Sequence, residues 1–175
     1  PTQQTHERRP RTTTTRRRHR DDGDDNGDEG VAALADGLRR GRLPSLQILA
    51  LANAQIGPQG ATALAPALTK RTLPSLEHLV LNRNPLGDAG LAALLPALRQ
   101  LPSLKELYLY ETNIGDEGVA SLVAQPTAGA LKSLEALHLH ENQITDAGCA
   151  TLATALRGGA LPALSFIQLE SEGHL

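Results

Sequence analysis

Residues 73–98 read LPSLEHLVLNRNPLGDAGLAALLPAL, and two periodicities meet within this one stretch. In its first half Leu76, Leu79 and Leu81 follow L-x-x-L-x-L, with His78 and Val80 alternating between leucines. Period two is the mark of a strand with one buried face. In its second half, the Ala/Leu pattern after Asp88 has helical spacing and puts Leu94 on the inward side. A strand, a loop and a returning helix therefore make one unit.

That unit recurs. LPSLQILAL (43–51), LPSLEHLVL (73–81), LPSLKELYL (101–109), LKSLEALHL (131–139) and LPALSFIQL (161–169) superpose without gaps, at spacings of 30, 28, 30 and 30 residues. The helical halves align equally well: GDEGVAALADGL (27–38), GPQGATALAPAL (57–68), GDAGLAALLPAL (87–98), GDEGVASLVAQP (115–126) and TDAGCATLATAL (145–156). Asp28, Asp88, Asp116 and Asp146 stand where helix N-caps are expected. Leu34, Leu64, Leu94, Leu122 and Leu152 share one inward position. Gly30, Gly60, Gly90, Gly118 and Gly148 recur two places after the cap position, which implies close approach of the helix to the sheet or an unusual backbone angle. Pro66 and Pro96, late in their helices, should bend or end them, and Pro126 should do so earlier in its own unit. A single unit cannot bury its apolar face alone, whereas stacked units make a curved solenoid.

The pattern resembles the leucine-rich-repeat family over residues 27 to 170. The long helical half, with its G-D-x-G-x-x-x-L signature, is similar to the ribonuclease-inhibitor-like subclass, which includes repeat regions of NOD-like receptors and Ran GTPase-activating proteins. The resemblance implies an α/β leucine-rich-repeat solenoid (horseshoe), with a parallel sheet on the concave face and helices on the convex face. It implies a display scaffold, with enzyme regulation of the GTPase-activating kind or a structural role in a larger assembly as alternatives. No catalytic residue carries over, and a GTPase stimulation assay would separate scaffold from regulator. Asn84 and Asn142 match the family's loop asparagine, but Ala54 and Thr112 replace it in two units, so those loops should be reshaped. The array looks cut at both ends, as in a piece of a longer protein. Its open ends invite edge-to-edge self-association.

Composition agrees with many small layers over one deep core. The chain of 175 residues holds one Phe, two Tyr, no Trp and no Met, and its formal net charge is −2. The only cysteine, Cys149, aligns with Val31, Ala61, Leu91 and Val119 and reads as a small core residue. One cysteine and no glycosylation sequon point to an intracellular, cytoplasmic protein. The nucleus is the alternative if the arginine cluster of the tail is a targeting signal. The longest apolar run, 91–98, is too short for a membrane span.

Residues 1–26 form a separate tail, with seven arginines between Arg8 and Arg20 and then DDGDDNGDE, ahead of a repeat domain over 27–175. A nucleic-acid patch is one reading of the arginines. A solvated disordered tail is favoured, because no aromatic is interleaved for base stacking. Asp22, Asp24, Asn26 and Gly27 imitate half a calcium loop, but its twelfth position is Ala33 where a Glu is needed. No nucleophile elbow, phosphate-cradling loop or zinc motif occurs, so neither an enzyme nor a cofactor is expected.

If the leucines point inward, the residues between them line the open sheet face in columns. These run Ile48, His78, Glu106, Ala136, Phe166; then Ala50, Val80, Tyr108, His138, Gln168; then Ala52, Asn82, Tyr110, His140, Glu170. Asn53, Arg83, Glu111, Glu141 and Ser171 form the edge. Every aromatic residue falls on this map. Tyr108 should lie beside His138 and Tyr110 beside His140, since neighbouring strands are about 4.8 Å apart. The expected contact patch for a protein partner comprises His78, Arg83, Glu106, Tyr108, Tyr110, His138, His140, Phe166, Gln168 and Glu170. The carboxylates surround the patch and Arg83 lies toward the other end, which suits a basic or hydrogen-bonding partner. His138-x-His140 also has a spacing that metals use, with Glu170 and Tyr110 nearest, but ordinary polar surface is preferred. Histidines would make binding vary between about pH 5.5 and 7.5.

Overall fold

A computed structural model describes residues 27–41, 43–124 and 131–170. The elements alternate as the repeats require: α1 (Asp28–Gly41), β1 (Ile48–Ala50), α2 (Pro58–Leu64), β2 (His78–Val80), α3 (Gly87–Leu98), β3 (Glu106–Tyr108), α4 (Asp116–Val123), β4 (Ala136–His138), α5 (Asp146–Arg157) and β5 (Phe166–Gln168). The five strands form one parallel sheet in sequential order. Register follows the sequence columns, with Ile48, His78, Glu106, Ala136 and Phe166 in one row and Ala50, Val80, Tyr108, His138 and Gln168 in another.

The core is a stack of leucine layers. Leu76, Leu79, Leu81, Leu104, Leu107, Leu109, Leu134, Leu137 and Leu139 are buried beneath the sheet, packed against Leu64, Leu94, Leu122 and Leu152 from the helices. The outermost layers lack a neighbour on one side and are more open. Leu34 shares the inward position yet is exposed, and Cys149 is half-buried. Both departures from expectation have one cause, since α1 and α5 are the outermost described helices.

Two kinds of polar stitch join the units. The amide side chain of Asn84 accepts from the backbone N–H of Ala54 (2.9 Å) and Ile56 (3.0 Å) and donates to the carbonyls of Leu51 and Leu81 (2.8 Å each). Asn142 does the same for Thr112 and Ile114, both at 3.0 Å. Each asparagine thus serves its own loop and the loop of the preceding unit that lacks one. The served loops are reshaped as expected: Gln55 (φ 53°) and Asn113 (φ 60°) enter the left-handed region, while their counterparts Pro85 and Gln143 do not. The second stitch corrects the capping assignment. Asp28, Asp88 and Asp116 do not cap their own helices. Their Oδ1 atoms accept from the backbone N–H of Gly57 (2.7 Å), Gly115 (2.7 Å) and Thr145 (2.8 Å), each in the following unit. The starts of α2, α4 and α5 are therefore held by the repeat before each, and Asp146 does not cap α5 either, since Thr145 Oγ1 accepts there from the Ala147 N–H (3.2 Å).

This stitch also explains the recurring glycine. A Cβ at Gly60, Gly118 or Gly148 would overlap the Oδ1 of Asp28, Asp88 or Asp116, so the close approach is to a carboxylate and not to the sheet. In the unit that begins at Pro58 no aspartate exists. There the neighbours nearest a Cβ at Gly90 are Leu86, Ala61 and Pro58, and Gly87 turns its N–H to the Thr112 carbonyl (2.9 Å) with φ 60°, a conformation that glycine adopts without strain. Pro66 stands where α2 passes into a 3-10 turn (Ala65–Ala67). Pro96 sits inside α3, which runs on to Leu98, so it ends nothing at its own position. Pro126 and the residue 1–26 tail, with its arginines and acidic turn, lie outside the described residues, as does Ser171.

Candidate functional site on the open sheet face

Alternation along each strand turns Tyr108, Tyr110, His138 and His140 away from the leucine core, and all four are half-buried among one another. Parallel in-register pairing puts equivalent residues side by side, so the planar rings stack. Tyr108 and His138 have centroids 4.3 Å apart and planes within 5°. Tyr110 and His140 lie 4.4 Å apart at 15°. Phe166 extends the first row, tilted 45° at 5.2 Å from His138, and the Arg83 guanidinium extends the second, 5.9 Å from the Tyr110 centroid. The rings spend much of their faces on each other. The Tyr108 hydroxyl is given to Glu106, and His140 Nδ1 is buried without a hydrogen-bond partner.

Charge is organised inside these rows. One oxygen of Glu106, Oε2, accepts from the Tyr108 hydroxyl and lies 3.2 Å from His78 Nδ1. The Tyr108 hydrogen bond, followed by the His78 contact, holds the Glu106 carboxyl below the usual carboxylate range against the opposing effect of burial. The same bond, reinforced by burial, pushes the Tyr108 phenol up to about 12. Arg83 Nε donates to Glu111 Oε1 at 2.9 Å. The Arg83 pKa is raised by that bond and by the Glu111 charge. His138 Nδ1 lies 3.4 Å from Gln168 Oε1.

Of the ten sequence-selected residues, nine cluster in these two rows and their immediate partners. Glu170 is exposed at the outer strand. Arg83 stands beside Glu111 at the edge, and its long side chain reaches to Tyr110 and Glu111. Glu106 and Glu111 are likewise engaged within the patch and do not form a free acidic rim. Asn82, mapped to the exposed third column, is buried. Glu111 was left out of the selected set, although opposite charges at neighbouring edge positions 83 and 111 signalled the pair. Among the described residues, no three His, Cys, Asp or Glu side chains gather in a metal-holding group, and no helix is long and apolar enough to cross a membrane. Asn53, Arg83, Glu111 and Glu141, all with φ between 53° and 59°, mark the turn that ends the sheet face in each unit.

The family described as "Leucine Rich repeat" matches residues 42–65, 72–95, 100–123 and 130–153, more than half of the chain. The chain belongs to the leucine-rich-repeat family. A comparison with curated protein sequences gives no match. Among solved structures, this leucine-rich-repeat chain is similar to the actin-binding site 2 of leiomodin-1, at 18% identity and TM-score 0.61, over 83% of this chain and 78% of that one. It is similar to the tropomodulin C-terminal domain of Caenorhabditis elegans at 14% identity and TM-score 0.63, over 82% and 84% of the two chains. The Chaetomium Mex67:Mtr2 subunits match at 20% identity and TM-score 0.53, over 77% and 87%. At these identities the likeness concerns the fold.

Proposed function

We propose that this leucine-rich-repeat protein is a non-catalytic protein-binding module whose partner docks on the open sheet face over the Tyr108–His138 and Tyr110–His140 rows. The observation that supports it most is the concentration of both tyrosines, with their stacked histidines, on a face the core does not use. Tyrosine and histidine edges supply hydrogen-bond donors and acceptors on rigid rings that lose little entropy on binding. The partner is a protein surface rich in hydrogen-bonding and basic groups, since Glu141 and Glu170 are exposed beside the rows. The unit length and returning helices support the ribonuclease-inhibitor-like subclass, and the repeat domain is read as 27–175 behind a separate tail, in an intracellular and mainly cytoplasmic protein.

The test uses cross-linking and mass spectrometry from native cell extract, comparing wild type with Tyr110→Ala/His140→Ala and Tyr108→Phe/Tyr110→Phe. A specific partner should be lost with the first variant and weakened about tenfold or more with the second. The second keeps the stacks and removes only the hydroxyl edges. Equal recovery by the alanine double variant and wild type would reject this face.

A further inference from the structure

A cavity of about 270 Å³ opens between the C-terminal part of α1 and the link from α2 to β2, lined by Arg39, Pro66, Thr69, Arg71 and Thr72. Both of its walls belong to described units, and it shares no residue with the ring rows of the sheet face. Two guanidinium groups and two hydroxyls surround one space, with no carboxylate among the lining residues.

The cavity originates in an irregularity of the repeat. Between helix and strand the second unit has four residues, Thr69-Lys70-Arg71-Thr72, where the next has two, Arg99 and Gln100. The longer link closes a turn in which the N–H groups of Thr72 (3.0 Å) and Leu73 (2.8 Å) both donate to the Thr69 carbonyl. The turn brings the two hydroxyls within 3.0 Å of each other, and the Thr72 N–H also reaches Thr69 Oγ1 at 3.3 Å. Thr72 is only 8% exposed, so a buried polar side chain lines the cavity. One hydroxyl hydrogen is used between the pair, and the other remains to be donated. At the next junction the equivalent cation is committed: Arg99 Nη2 donates to the carbonyls of Ser121 (2.8 Å) and Ala124 (3.0 Å).

Charge decides what such a lining can hold. Arg40 and Lys70 adjoin the two lining arginines in sequence, so four cations stand here against one carboxylate, Asp36. Asp36 is shared between Arg39 Nη1 (3.3 Å) and Arg40 Nη2 (3.2 Å), while neither Lys70 nor Arg71 pairs with a described carboxylate. The carbonyl end of α1 contributes about half a negative charge, which the cations outweigh. A guanidinium fork matches two oxygens of a phosphate, and a hydroxyl can reach a third. The surplus of positive charge suits a dianion over a monoanion.

We propose that this cavity binds a phosphate monoester dianion, held by Arg39 and Arg71 and by the Thr69–Thr72 hydroxyl pair. The site is separate from the sheet face and gives the chain a second point of recognition, selective for a phosphorylated group.

The test is a nuclear magnetic resonance titration of the full 175-residue chain with inorganic phosphate at about pH 7.5, where the dianion prevails. Sodium chloride holds the ionic strength constant. N-acetyl-phosphoserine methylamide and dimethyl phosphate are titrated in the same way. Saturable shifts should centre on Thr69, Thr72 and the Arg71 side chain. Arg71→Gln should weaken binding about tenfold, while Arg40→Gln, which removes the same charge from outside the cavity, should change it less than about twofold. Dimethyl phosphate, a singly charged diester, should bind about tenfold more weakly than phosphate. Binding of the phosphoserine derivative places the ligand on a protein chain, and phosphate binding without it places the ligand in free form. Shifts that do not saturate, equal losses in Arg71→Gln and Arg40→Gln, or a diester bound as tightly as phosphate each overturn the proposal. Tyr110→Ala/His140→Ala should leave this titration unchanged, so failure here and failure of the sheet-face reading are told apart.

Discussion

The phenol of Tyr108 and the imidazole of His138 lie face to face, 4.3 Å between centroids and within 5° of parallel. Thirty residues separate them in sequence, and one hydrogen-bonded strand step joins them in space. The tyrosine hydroxyl is at the same time given to Glu106. The row is therefore held from two directions, by stacking along it and by a charged hydrogen bond within its own strand.

That second attachment has a spectroscopic consequence. With its pKa pushed up to about 12 from the ordinary 10.0, Tyr108 should ionise late in an absorbance titration at 295 nm. Glu106→Gln should bring its ionisation back toward 10. The protonated phenol is the form the fold favours, so its contribution to stability is complete below pH 10 and lost as pH rises through about 12. A wild-type Tyr108 signal that titrates normally would remove the Glu106 bond from the account.

The asparagine stitches should be expensive to lose. Asn84→Ala leaves the amides of Ala54 and Ile56 without their acceptor in a buried loop, and should cost about 2–3 kcal/mol in denaturant unfolding. Asn142→Ala should cost a similar amount through Thr112 and Ile114, tempered by the Thr112 hydroxyl, which already bonds the Leu109 carbonyl. Ala54→Asn should not rescue Asn84→Ala, because the acceptor must reach from the neighbouring unit.

The glycines should divide into two classes. Gly118→Ala and Gly148→Ala push a methyl into the carboxylates of Asp88 and Asp116 and should destabilise by about 1–3 kcal/mol. Gly30→Ala meets nothing and sits within a helix, so it should stabilise by about 0.5–1 kcal/mol. Thermal unfolding of the three variants at one protein concentration checks the opposite signs.

Acid should act through Asp116. Its pKa is lowered below the ordinary 3.8, chiefly by the Thr145 hydroxyl and then by the Thr145 backbone N–H. A depressed carboxyl contributes stability above its unfolded value, and that contribution is lost as pH falls through the folded value. Unfolding midpoints measured from about pH 5 down to pH 2 should fall less steeply in Asp116→Asn than in wild type. Thr145→Val should raise the Asp116 pKa in a carboxyl titration followed by nuclear magnetic resonance.

Strand positions and sheet columns were legible in the sequence because both rest on counting. The leucine frame fixes which side chains turn inward, and the near-constant repeat fixes which stand side by side. What counting could not supply is where a polar side chain turns. An aspartate at a helix start fits a cap and an inter-repeat stitch equally well. Only the carboxylate of Asp88 reaching Gly115 separates the two. The recurring glycine was the clue at Gly60, Gly118 and Gly148, where the position cleared of its Cβ has a carboxylate as its occupant.

Pro58 makes one junction of the stack unlike its neighbours. The contact between α2 and α3 is apolar at this level, where Gly90 faces Ala61 and Pro58. The junctions on either side each depend on a carboxylate, Asp28 toward α2 and Asp88 toward α4. Asp28→Ala or Asp88→Ala should therefore loosen the junction that the carboxylate bridges and leave the α2–α3 contact in place. A single proline thus leaves one joint of an otherwise repetitive chain to the asparagine stitch and apolar packing.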